Sequence, residues 1–266
     1  QGISFDFSDA VLNQRLDLCQ RRVFQLIYPP YRNLQYPWYV AKRDPEHGNL
    51  PTESSSGYSA DWGIQKMTDL WALSRVLLPL RPDLIQGMLQ NLLNQQGLDG
   101  SLYAQLNWNG KVTNLAAAPL AASLAAEVYE AIGDKEWLAQ NYAALVRSVK
   151  IWFQPENDKD GDGWPEWQHL LQTGLGEGLS REQKDKLEVL IQSAEWPSLA
   201  ALLLNECRAL KKLANWVNDP SDLDWLETQI NHLDQLLKES WDPKRGVFAF
   251  RDQTGHFSGP GRTLRT

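Results

Sequence analysis

"LAALLLNECRALKKLANWVNDPSDLDWLETQINHLDQLLKES", Leu199 to Ser240, reads as a helix, a break and a second helix. Leu199, Leu203, Cys207, Leu210, Ala214 and Val217 recur at the spacing of one face of a 3.6-residue helix. Asn218-Asp219-Pro220 interrupts the pattern, because proline has no N–H to donate and disfavours a helical residue before it. Ser221 followed by Asp224 predicts a reciprocal cap, and Leu226, Ile230, Leu233 and Leu237 carry a second apolar face. Two amphipathic helices joined by so short a turn lie antiparallel and bury their faces together.

The same unit recurs towards the N-terminus. Met67, Leu70, Trp71, Ser74, Leu77 and Leu78 mark a helix that ends near Pro79, and Pro82 opens another carrying Leu84 to Asn94. Ala116 to Ile132 is closed by Gly133, and Asp134 caps a helix through Trp137, Leu145 and Val149 to Trp152. Leu12, Leu16, Cys19, Val23 and Ile27 form a first helix before Pro29-Pro30, and "GVFAF" (Gly246 to Phe250) is the one short strand signal. The chain is therefore all-α, alternating helix, short turn, helix and long loop. No fixed-period repeat is present, which argues against a tetratricopeptide-like array.

The loops Tyr28–Asp61, Gly97–Asn114 and Gln154–Glu195 collect most of the Trp, Tyr, Gly and Pro residues. The chain has 12 Trp and 8 Tyr, and Trp offers a flat apolar face with one N–H, a combination suited to a sugar ring. The net charge of −7, without a Lys or Arg stripe, excludes nucleic acid and anionic membrane surfaces as natural partners. No apolar run approaches the ~20 residues needed to span a bilayer. Cys19 and Cys207 fall within helical patterns and read as core residues. GxSxG, HExxH and a helix-opening GxGxxG are absent, and the histidines lack metal-ligand spacing. Glycoside cleavage needs only two carboxylates flanking a bond, and acidic residues in Trp-rich loops are what this sequence offers.

"NDKDGDGWPEWQHLLQTG", Asn157 to Gly174, has the start of a calcium loop in Asp158, Asp160, Asp162 and Gly163. Counted from Asp158 it fails at the twelfth position, where His169 replaces the bidentate glutamate an EF-hand requires. Asp158, Asp160 and Asp162 are thus candidate metal ligands for a calcium ion, or an Asx-rich turn bonded to its own backbone. Glu166, between Trp164 and Trp167, is a carboxylate in an apolar setting: a candidate acid, a sugar-hydroxyl partner, or a structural ion-pair member.

"YPWYVAKRDPEHG" (Tyr36 to Gly48), "SADWGIQKMTDLWAL" (Ser59 to Leu73), "NLLNQQGLDGSL" (Asn91 to Leu102), the calcium-like segment, "LAALLLNECRALKKLA" and "FAFRDQTGHFSGPG" (Phe248 to Gly261) follow one another in register. Together they resemble the six-hairpin (α/α)6 glycosidases of the mannosylglycerate hydrolase-like and mannosyl-oligosaccharide glucosidase-like group, some of whose members are labelled glycogen debranching or amylo-alpha-1,6-glucosidase proteins. The resemblance implies an inverting glycoside hydrolase acting on α-linked glucosyl or mannosyl saccharides. It needs no cofactor, and its partner is an oligosaccharide or glycoside.

In the family the acid directly follows a stretch matched by Gln172-Thr173-Gly174-Leu175. Gly176 stands there, so Glu177, one residue later, becomes the acid candidate, with Glu166 second. Tyr39, Arg43 and Asp44 match a segment expected to line the sugar pocket. Trp62 and Gln65 match a motif whose last residue is ordinarily Asp, and Trp164 and Trp167 are expected in further sugar contacts. About seven helices are legible against the ~12 of a closed ring, so residues 1–266 are expected to form the N-terminal part of one toroidal domain. The general base would come from later hairpins, and the chain alone is expected to be inactive. A cytoplasmic location is the working expectation. A non-catalytic carbohydrate-binding relative and a helical scaffold for protein partners are the competing readings.

Overall fold

The computed structural model describes residues 8–40, 63–175, 179–252, 255 and 257. The helical units expected from periodicity are present as α1 (Ala10–Gln25), α2 (Met67–Leu77), α3 (Pro82–Leu93), α4 (Ala121–Ile132), α5 (Lys135–Lys150), α8 (Pro197–Val217) and α9 (Leu223–Ser240), while the segment Gln154–Glu195, expected to be loop, holds a one-turn α6 (Leu170–Thr173) and α7 (Arg181–Ser193). Two-residue strands pair antiparallel in the loops: β1 (Ile27–Tyr28) with β2 (Trp38–Tyr39), β3 (Leu106–Asn107) with β4 (Gly110–Lys111), β5 (Ala194–Glu195) with β8 (Arg251–Asp252), and β6 (Trp241–Asp242) with β7 (Val247–Phe248). None of the described helices is long and apolar enough to cross a membrane.

α8 packs against α4, α5 and α9, α3 packs against α2, α4 and α5, and α1 lies against α2. Gly133 ends α4 in the left-handed conformation (φ 76°) that a residue lacking Cβ adopts at little cost, and Asp134 caps α5 by accepting from the Trp137 N–H. The α8–α9 return differs from expectation. Asp222, not Ser221, occupies the cap position of α9 and forms no side-chain cap bond; its carboxylate faces Lys150 of α5 at 2.5 Å instead. That ion pair ties two neighbouring hairpins together.

The core lies between these helices. Leu124, Leu145, Leu199, Leu203, Leu210, Leu226 and Leu233 are wholly excluded from water, and Cys207 is buried among them. Cys19, expected in the core, is exposed, because α1 buries none of its residues. Several polar groups between the helices are matched. Gln90 of α3 accepts from Trp137 Nε1 at 2.7 Å and from Asn141 Nδ2 at 2.9 Å on α5. Asn91 exchanges hydrogen bonds with the Tyr36 backbone, anchoring the first loop to α3. Each of these bonds spares a buried group the ~1–3 kcal/mol penalty of an unmet donor or acceptor.

Candidate active site

The connections leading into α2, α4 and α8 meet one another. Backbone bonds stitch these loops together. Gln65 N–H donates to Leu106 O at 2.7 Å, and Leu106 N–H donates back at 3.2 Å. Ala117 N–H donates to Leu102 O at 2.6 Å, and the Gln172 side chain donates to Ala116 O at 3.1 Å. Gly174 closes against Thr68 so tightly that a Cβ there would lie 3.1 Å from Thr68 Cγ2.

A cavity of about 290 Å³ opens between the start of α2 and the third loop, lined by Lys66, Thr68, His169, Gly174, Lys184 and Glu188 among others. α7 forms one wall. It lies within the segment Gln154–Glu195 expected to be loop, and it opens on a reciprocal capping box: Ser180 accepts from Gln183 N–H while the Gln183 side chain accepts from Ser180 N–H, a signal readable in the sequence. His169 explains the missing calcium-loop glutamate: its Nδ1 accepts from Leu171 N–H at 3.0 Å and caps α6, the turn that presents Gly174. Glu188 supports the same turn by accepting from Leu170 N–H at 2.9 Å.

Beside this turn lies an acidic cluster. Asp158, Asp160 and Asp162 can bring one carboxylate oxygen each within 4.8 Å of one another, and so can Asp160, Glu166 and Glu195. The loop is shaped by its own backbone. Asp158 accepts from Asp162 N–H at 3.1 Å and Gly163 N–H at 2.9 Å, and Asp162 accepts from Trp164 N–H at 2.9 Å. Glu195 enters from β5, whose pairing with β8 places it opposite Arg251. Glu195 is 0% exposed and Glu166 2%. Neither Glu195 carboxylate oxygen accepts a hydrogen bond, nor does Glu166 Oε1. Burial pushes the Glu195 carboxyl up to about 8, the charge of Asp162 adding to it, and burial likewise raises Glu166.

The charge here is partly balanced. Arg251 pairs with Asp162 and lies 3.6 Å from Glu195, and Lys159 lies 3.3 Å from Glu166. Hard oxygen donors converging with orphaned lone pairs are the setting a calcium ion takes, and no nitrogen or sulfur ligand intrudes. Glu195 has no local sequence signal, since it follows the loop by some 30 residues and joins it only through the β5–β8 pairing.

The expected sugar-contacting residues separate into three groups. Tyr39 and Gln65 are buried and committed to backbone: the Gln65 amide donates to Tyr39 O at 2.6 Å and Gly63 O at 3.0 Å, while Tyr39 Oη accepts from Lys66 N–H and donates to Lys66 O. They brace the start of α2, and Lys66 and Thr68 line the cavity. Trp164 and Trp167 lie in the core at 0% and 1% exposure, Trp167 edge-on to Trp152 with centroids 5.4 Å apart. Arg43, Asp44, Trp62 and Glu177 lie outside the described residues. Glu166 belongs to the acidic cluster and does not line the cavity.

Helical hairpins whose connecting loops meet beside a cavity define a toroid of the six-hairpin glycosidase type. Residues 70–265 match the family model of the mannosylglycerate hydrolase MGH1-like glycoside hydrolase domain, and the chain belongs to that family. The fold agrees. A mannosylglycerate hydrolase of glycoside hydrolase family 63 from Thermus thermophilus, solved with glucose, superposes with a TM-score of 0.65 at 16% identity over 90% of this chain and 67% of its own. An uncharacterized conserved protein from the same organism superposes at 0.60 with 14% identity and the same coverage. The Thermus hydrolase solved with Tris and D-glycerate gives 0.59 at 16% identity, over 74% of this chain and 63% of that one. No curated protein matches the chain by sequence.

Proposed function

We infer that the chain provides the sugar-binding cleft and the acid-bearing loop of an inverting glycoside hydrolase for α-linked glucosyl or mannosyl saccharides. One observation carries the reading. Within a chain that belongs to a glycoside hydrolase family, the cavity lies where the start of α2 meets the turn after α6, with Thr68 from one against Gly174 from the other. In an inverting reaction a carboxylic acid protonates the leaving oxygen while a second carboxylate activates water. Glu177, just beyond Leu175, is the acid of this proposal. Arg43, Asp44 and Trp62 are the sugar-contacting candidates of this proposal, and Tyr39 and Gln65 support it by bracing the start of α2, from which Lys66 and Thr68 reach the cavity. The base of this proposal is expected on a later hairpin of the toroid.

Calorimetric titration with glucose, mannose and their α-linked disaccharides, run beside a hydrolysis assay on the same sugars, tests this. Saccharide binding that is abolished by substitutions at Arg43 and Trp62 supports the reading. Hydrolysis at enzymatic rates that survives Glu177→Gln overturns the acid assignment. Absence of saccharide binding would instead favour a scaffold for protein partners.

The acidic cluster, in the same reading, holds a calcium ion. The carboxylates of Asp158, Asp160, Asp162, Glu166 and Glu195 supply the ligands, and the ion's charge fixes the loop ahead of α6. The supporting observation is the pair of buried Glu195 oxygens that accept no hydrogen bond.

A further inference from the structure

We propose that Lys159 is an internal counter-ion of the acidic cluster that a calcium ion must displace, so that this lysine sets the site's affinity for metal. The proposal rests on the metal reading above and goes beyond it by naming what controls occupancy.

Among the described residues, two cationic side chains reach the cluster, with different freedom. Arg251 is fixed. It sits on β8, whose backbone pairs with β5; its guanidinium joins Asp162, approaches Glu195 at 3.6 Å and lies 5.8 Å from the centre of the Trp164 ring. Its side chain is 22% exposed. Lys159 is carried by the loop itself, between two of the aspartates, and its side chain is 47% exposed while the Glu166 carboxylate it faces is 3% exposed. Its ammonium lies 3.3 Å from Glu166 Oε2, and Glu166 Oε1 accepts no hydrogen bond.

A calcium ion held by Asp160, Glu166 and Glu195 draws on the same carboxylate. Like charges at this range in a poorly solvated place repel strongly, so ion and ammonium contend for Glu166. The lysine can yield, because its flexible stem lets the ammonium swing out and recover its hydration. Arg251 need not move, since five carboxylates outweigh one guanidinium and one divalent ion. In the absence of metal, Lys159 neutralises Glu166 and keeps the loop folded; in its presence, Lys159 is the competitor.

Calcium titration by calorimetry and thermal melting in chelator, on wild type, Lys159→Gln and Lys159→Arg, tests this. Lys159→Gln is expected to bind calcium on the order of tenfold tighter, the equivalent of losing one unfavourable charge contact. In chelator it is expected to melt below wild type, because Glu166 has lost its counter-ion. Lys159→Arg, which keeps the charge, is expected to stay close to wild-type affinity. Calcium binding by Lys159→Gln alone would be the extreme form of the expected result. Equal or weaker affinity in Lys159→Gln, with wild type binding calcium, overturns the role of Lys159 and leaves the metal site standing. No calcium binding by either protein overturns the metal reading and this proposal with it.

Discussion

Glu206 Oε2, in the middle of α8, accepts a hydrogen bond from the backbone N–H of Ala122 at 2.7 Å, and its other oxygen accepts from Ser123 N–H at 2.9 Å. A carboxylate wholly excluded from water thus caps the first turn of α4 from a neighbouring helix. The orphan donors and positive end of a helix N-terminus suit an anion there. This bond sets the registry of two adjacent hairpins. Glu206→Ala is expected to destabilise the fold by about 2–3 kcal/mol, since two buried N–H groups lose their partner. Urea unfolding measures this; a change below about 0.5 kcal/mol would mean the helices re-register without the cap.

The same residue gives a pH signature. Burial raises the Glu206 carboxyl above its usual 4.5, although the Ser123 and Ala122 donors pull it back. A raised acid binds its proton more tightly folded than unfolded, so the folded state holds more protons between the two values and loses stability as pH rises through that window. Glu206→Gln lacks this titration. Its stability relative to wild type is expected to improve as pH climbs from about 4.5 towards neutrality, a trend that paired urea curves across that range would detect. A constant difference would place the Glu206 pKa at its unfolded value.

Most of this architecture is legible in the sequence because packing of apolar faces dictates it. The spacing of Leu199, Leu203 and Leu210 is the spacing of residues wholly buried in α8. Gly133 and Asp134 mark a helix end and a helix start by local chemistry alone. What escapes reading depends on long-range contact. Glu195 joins Asp160 and Glu166 only through β5–β8 pairing, and the two-residue strands carry too little pattern to announce themselves. Trp164 and Trp167 illustrate the converse: a Trp-rich loop suggests a sugar wall, but nothing local says that both rings turn inward, against Trp152 and its neighbours.

That placement separates stability from binding. Trp167→Ala is expected to cost about 3–5 kcal/mol of stability, as removal of a buried aromatic ring does. At a temperature where the variant remains folded, its saccharide affinity is expected to match wild type, because the ring presents no face to the cavity. A melting temperature near wild type with a large loss of sugar binding would place the ring in the cleft after all.

Gly163 is a further narrow point. Its φ of +87° suits glycine, its carbonyl lies 2.7 Å from His232 Nε2, and a Cβ would come within 2.8 Å of that nitrogen. Gly163→Ala is expected to destabilise by about 1–3 kcal/mol through the strained backbone and the displaced imidazole. Thermal melting reads the loss. Calcium affinity is expected to fall with it, because Asp158 accepts from the Gly163 N–H that would move.

Glu195 provides the sharpest test of the metal reading. In the ion-free protein its buried carboxylate has no hydrogen-bond donor, and a bound divalent ion would offset that cost directly. A ligand that binds only the folded state stabilises it by mass action, about 4 kcal/mol when present at ~1,000 times its dissociation constant. Calcium added after chelation is therefore expected to raise the melting temperature of wild type by several degrees. Glu195→Gln keeps the shape and removes the charge. It is expected to melt close to chelated wild type, because burial already holds the ion-free Glu195 carboxyl largely protonated at neutral pH, and to lose most of the calcium-induced gain. Magnesium, which dehydrates reluctantly and demands a smaller octahedral shell, is expected to give a weaker response in wild type. An undiminished calcium shift in Glu195→Gln would exclude this carboxylate from the ion's shell and leave Asp158, Asp160 and Asp162 as the whole site.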